Sequence, residues 1–120
     1  IHTDAVKNYV LPQSNYTKNT EWLAYADEAD LLNVALFGCT AKAWREANPT
    51  LAKNSNIRDY ASIAELTVLS NLETHNAELI KSRMEKKERF EALRQIAQYQ
   101  LRVLAEAEKI KELPTLEDKS

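Results

Sequence analysis

Ser62-Ile63-Ala64-Glu65 opens a helical run that continues, with one break, to about Leu113. Ser62 and Glu65 have the spacing of a capping box, in which the serine oxygen accepts from the amide three residues on and the glutamate reaches back to the serine amide. The helix that follows places Ile63, Leu66, Leu69, Leu72, Ala77 and Ile80 on one stripe, widened by Val68 and Leu79. Asn71, His75 and Asn76 interrupt it, and it is expected to end near Ser82-Arg83. A last helix runs from Glu85 or Lys86 to about Glu112, before Pro114. Its Phe90, Leu93, Ala97, Leu101 and Leu104 recur at three- and four-residue steps, and Ile96, Val103 and Ile110 form a flanking line. One line serves the preceding helix; the other must meet the N-terminal helices or a second chain. Helices of about 20 and 27 residues extend roughly 30 and 40 Å. The longer would overhang the shorter, leaving an apolar end that is either a dimerisation surface or frayed.

The rest of the chain carries the same bias. There is one glycine in 120 residues, so hairpins and phosphate loops that need positive φ are excluded, and the abundance of Ala, Leu, Glu, Lys, Gln and Arg favours helix. The net charge of −2 points to no nucleic-acid or acidic partner for the chain as a whole. The single cysteine, Cys39, rules out an internal disulfide and a multi-cysteine zinc site, and fits a reducing, cytoplasmic compartment. No apolar run approaches 18 residues, so no membrane span or membrane partner is expected.

In chain order, Thr3 can cap a short helix with Val6, Tyr9 and Val10 on one face, ended by Pro12. Residues 13–21 read as a polar loop. Asp27 is an N-cap with Asp30 at N3, for a helix whose Leu31, Leu32, Val34, Ala35, Leu36 and Phe37 make it apolar almost all round, hence a core helix. Gly38 supplies the left-handed stop. Thr40 caps a third helix, Ala41 to Ala47, anchored by Trp44 and stopped by Asn48-Pro49. Thr50 to Lys53 can add a turn, and Ile57 to Tyr60 lead to the Ser62 cap. The expected fold is all-α, with about five helices: three shorter N-terminal ones packed on a long antiparallel C-terminal pair. Residues 1–113 form one helical domain, read as a fragment of a longer protein, and 114–120 a polar tail.

Four sets of residues together resemble the C-terminal region of bacterial, phage-derived KilA-N domain proteins. They are Tyr25-Ala26-Asp27-Glu28-Ala29-Asp30-Leu31-Leu32-Asn33, Thr40 through Pro49, Asn56 through Ala61, and Leu69-Ser70-Asn71-Leu72-Glu73-Thr74-His75-Asn76-Ala77. The resemblance spans Asp27 to Leu104, about two thirds of the chain. It implies that a DNA-binding KilA-N module precedes this region and makes the DNA contact. The family tends to have glycine and then a serine cap between the two long helices, where this chain has Arg83 and Glu85. The turn is therefore strained, shifted, or replaced by one continuous bent helix.

No chemistry-bearing motif emerges. Asp27-Glu28-Ala29-Asp30 spells a helicase-like box, but no glycine-rich phosphate loop accompanies it. His2 and His75 lack ligand spacing, and Cys39 has no His–Asp pattern nearby. No enzyme activity, metal, cofactor or small-molecule ligand is expected. Lys81, Arg83, Lys86, Lys87, Arg89 and Arg94 face only Glu85, Glu88 and Glu91, so the junction is +3. Such a patch can touch phosphate, or it can be a solvated face with pairs such as Glu85–Arg89. The segments around Trp44 and Ile57 are dense in directed polar groups. They read as a buried network tying the loops to Asn71 and Asn76, with Arg58 and Asp59 pairing loop amides and carbonyls, or as a recognition surface using Arg45 and Arg58. The candidate partner or DNA contacts are thus Arg45, Arg58, Lys81, Arg83, Lys86, Lys87 and Arg89. The expected function is an accessory domain for self-association, as a homo-oligomer through the last helix, or for partner binding; the alternative is weak direct nucleic-acid contact through Lys81–Arg94.

Overall fold

A computed structural model of the chain describes residues 9–12, 16 and 20–112, with side chains placed as far as Lys109. The described residues are helical and contain no strand. Four α-helices follow in order: α1 Glu28–Phe37, α2 Ala41–Ala47, α3 Ile63–Lys81 and α4 Lys86–Glu112. A 3-10 turn, Glu21–Ala24, precedes α1, and two more, Leu51–Lys53 and Ile57–Tyr60, lie between α2 and α3. The expected helix from Thr3 lies outside the described residues except at its end, where Tyr9 to Pro12 are not helical. The polar tail beyond Leu113 also lies outside them.

α1, α2 and α3 start where side chains can satisfy the free amides. Asp27 Oδ1 accepts from Asp30 N at 2.7 Å while Asp30 reaches back to Asp27 N. Thr40 Oγ1 accepts from Ala43 N. Ser62 Oγ accepts from Glu65 N at 3.0 Å, and Ser62 N donates to Glu65 at 2.8 Å. A third box, unexpected from the sequence, holds the 3-10 turn before α3: Asn56 N donates to Asp59 Oδ2 at 2.8 Å and Asn56 Oδ1 accepts from Arg58 N. Asp59 and the Arg58 amide are thus used within their own turn, without reaching Asn71 or Asn76.

α3 and α4 form an antiparallel hairpin, bridged midway by Asn71 Nδ2 donating to Gln100 Oε1. Ile63, at the start of α3, shares a groove with Leu104, Ala107 and Glu108, so α4 overhangs α3 there by only about one turn. The remaining length of α4 lies at the hairpin end, where Phe90 meets the Trp22 ring edge-on at 5.1 Å. α1 packs across both long helices. Leu31, Val34, Val68, Leu72 and Leu93 are wholly buried in that core, each contributing about 1.5–3 kcal/mol.

The α3 stripe differs from the expected one. Val68, Leu69, Leu72 and Asn76 are buried, whereas Ile63 is 85 % exposed and Leu66, Ala77 and Ile80 face outward. The inward face is rotated toward Val68 and Leu79, and it carries Asn76, which meets Arg89 and Glu28.

A smaller cluster of Cys39, Trp44 and Ile57 closes the end opposite the hairpin turn. The Tyr9, Trp44 and Tyr60 rings stand 5.6–6.1 Å apart. Asn48 ties the incoming chain to it, donating to Val10 O and Trp44 O and accepting from Val10 N.

The hairpin turn is the strained form. Arg83 has φ 64°, the left-handed region that glycine adopts freely. Arg83 N donates to Ile80 O and Met84 N to Leu79 O, the paired bonds of a Schellman ending. Arg83→Gly is therefore expected to stabilise the fold by about 0.5–1 kcal/mol, seen as a rise in Tm of a few degrees in a circular-dichroism melt. Gly38, at φ 83°, is the mirror test. An added Cβ there meets nothing within 4 Å, so Gly38→Ala should lose about 1 kcal/mol from backbone strain alone.

Candidate interaction surface

The seven candidate cations separate into three groups. Arg45 and Arg58 are exposed near the Trp44 cluster. Lys81, Arg83 and Lys87 are exposed at the hairpin turn. α3, about 28 Å long at 19 residues, stands between these two groups, so they do not form one patch.

Lys86 and Arg89 form the third group and point inward. Lys86 Nζ donates to Ala26 O at 2.7 Å and Leu23 O at 3.2 Å, closing the carbonyls that precede α1. Arg89 is only 7 % exposed. Its Nη1 lies 2.6 Å from Glu28 Oε1 and its Nη2 3.2 Å from Oε2, a two-pronged grip on the carboxylate. Nη1 also donates to Asn76 Oδ1 at 2.8 Å, and Nε donates to Met84 O at 3.1 Å. Asn76 Nδ2 donates to Glu28 Oε1 at 2.8 Å. The expected Glu85–Arg89 side-chain pair is absent; Glu85 offers only its carbonyl, to Arg89 N. Among the described residues Glu28–Arg89 is the one ion pair. The +3 junction therefore presents fewer cations to solvent than its sequence counts, because two of them neutralise groups inside the fold.

Arg89 holds the Glu28 carboxyl below its ordinary 4.5; partial burial opposes this, while Asn76 and Lys86 assist. Burial alone pushes the Cys39 thiol up to about 11, which keeps it protonated and a poor nucleophile. Among the described residues no group of three or more His, Cys, Asp or Glu is placed to hold a metal ion. None of their helices is long and apolar enough to cross a membrane.

The outer side of α4 carries an apolar line. The flanking line of α4 stays uncovered by the N-terminal helices: Ile96 is half-buried against the core, but Val103 is 44 % exposed. Tyr99, between them and 60 % exposed, belongs to the same line. It was not singled out in the sequence, although its step of three from Ile96 and four to Val103 is the signal that places it there. An open groove of about 460 Å³ runs beside it, lined by His75, Ala92, Gln95, Ile96, Tyr99 and Gln100. Comparison with protein-family models, curated proteins and solved structures found no match.

Two expectations follow. A folded-state pKa below 4.5 means that the Glu28 pair stabilises the fold above that pH and loses its effect as pH falls through the lowered value. Glu28→Gln should cost about 1–3 kcal/mol at neutral pH and flatten the acid limb of stability against pH, measured by urea unfolding between about pH 7 and pH 3. Cys39 should resist a thiol reagent at about pH 8 in the native protein and react within the mixing time in denaturant; rapid native labelling would contradict its burial.

Proposed function

We propose that this chain is an accessory helical domain whose role is self-association or partner binding, attached to a DNA-binding module of the KilA-N kind that makes the DNA contact. The observation that supports the association half is the apolar line Ile96, Tyr99 and Val103 on α4, in which Tyr99 and Val103 are exposed. Exposed apolar residues arranged in a helical stripe beside a groove are what a partner helix recognises. The attachment to DNA binding rests on the resemblance of the four sequence sets. Direct phosphate contact at the junction gains no support from a patch whose Lys86 and Arg89 are engaged internally.

The association half is tested by light scattering across a concentration series. The expected result is a mass that rises from the 13.7 kDa monomer toward a multiple of it. A constant monomer mass up to about 0.5 mM, weaker than specific associations generally are, would remove self-association from the reading.

A further inference from the structure

We infer that the partner on this face is a second copy of the chain, docked α4 against α4 in the antiparallel sense about a two-fold axis level with Leu104. The inference rests on the association reading above and names its surface and geometry.

At 100° per residue, Ile96, Tyr99, Val103 and Ala107 fall on one side of α4, roughly a third of a turn from the core line through Leu93 and Ala97. The two edges of this outer line differ. On one edge Gln100 is already bonded to Asn71 of α3. On the other edge, away from α3, Arg102, Glu106 and Lys109 follow at steps of four and three residues, all exposed. Arg102 leans over its own Tyr99, with its guanidinium carbon 5.7 Å from the ring centre. Neither Arg102 nor Glu106 forms an ion pair with a described residue. Among the described side chains, one edge is therefore charged with alternating sign, and the other is neutral and, at Gln100, occupied.

That asymmetry selects the docking sense. When two helices meet face to face about a two-fold axis perpendicular to them, each edge meets its own copy. With the axis level with Leu104, Arg102 of each copy lies opposite Glu106 of the other, giving two equivalent ion pairs. Lys109 comes level with Tyr99 of the other copy, and the two Val103 side chains meet beside the axis. A parallel arrangement would set the charged edge against the neutral one carrying Gln100 and Ala107, where Arg102 and Glu106 find no opposite charge. Charge complementarity thus identifies both the occupant and its direction: the surface fits itself, antiparallel.

The test is sedimentation equilibrium on the 120-residue chain and its charge variants. Arg102→Glu or Glu106→Arg alone turns two attractions into two repulsions, and each should raise the dimer Kd about tenfold. Combining both reversals restores opposite charges and should bring Kd back to within about threefold of the parent. Val103→Glu should leave only monomer, with its helical circular dichroism retained because Val103 lies outside the core. Recovery in the double reversal supports the geometry. A parent chain that stays monomeric overturns the inference together with the self-association reading. A parent dimer indifferent to the reversals and to Val103→Glu overturns this surface while leaving that reading intact.

Discussion

Arg89 carries a full positive charge into a site that is almost closed to water, and such a group is tolerated only when its donors are met. They are met from three directions at once. Glu28 comes from the first turn of α1, Asn76 from the fourth turn of α3, and Met84 O from the hairpin turn itself. The turn is joined to α3 by its Schellman bonds, and Asn76 joins α3 to α1 by one bond to Glu28; Arg89 on α4 is the one group of the set that meets all three. The guanidinium fixes their spacing, because its planar fork accepts the three partners in only one relative placement. Lys86, one turn earlier, adds the carbonyls of Leu23 and Ala26 to the same end. The apolar core supplies most of the stabilisation, but apolar packing is non-directional; the charge network gives it a register.

This arrangement also accounts for the hairpin turn. A non-glycine residue at positive φ is costly, and Arg83 is held there by the two Schellman bonds on one side and the Arg89–Met84 bond on the other. The cost is local and about 1 kcal/mol, small beside the charge–charge and polar contacts it allows. α3 and α4 therefore remain two helices, where a sequence lacking the glycine equally admits one long bent helix.

The two ends of the molecule are built differently. At the turn end, polar side chains are buried and paired. At the opposite end, aromatic rings pack around Trp44, and Asn48 binds the backbone of Val10. Some polarity there has no partner among the described residues: Trp44 Nε1 and, in α1, Asn33 Oδ1 are buried without one. Between the two ends, the outer side of α4 keeps Tyr99 and Val103 in solvent. An interior this well specified beside an exposed apolar line is what gives the association reading its physical basis.

For α1 to α4, helix existence, type and starting points were legible in the residues themselves. Capping by Asp27, Thr40 and Ser62, the stop at Gly38 and the break at Asn48-Pro49 depend on side chains bonding backbone a few residues away, so local order is enough to reveal them. The α4 core line was legible for the same reason, since Phe90, Leu93 and Ala97 repeat at the helical period. The rotation of α3, the inward turn of Lys86 and Arg89, and the split of the seven candidate cations were not. Each depends on a partner 13 to 63 residues distant, and a charged or amide side chain reads as solvent-facing until that partner is in view. Local side-chain chemistry was enough to show which segments coil and where α1 and α2 stop. Which polar groups go inside became visible in the packed fold alone, because burying a charge is favourable or ruinous according to what stands opposite it.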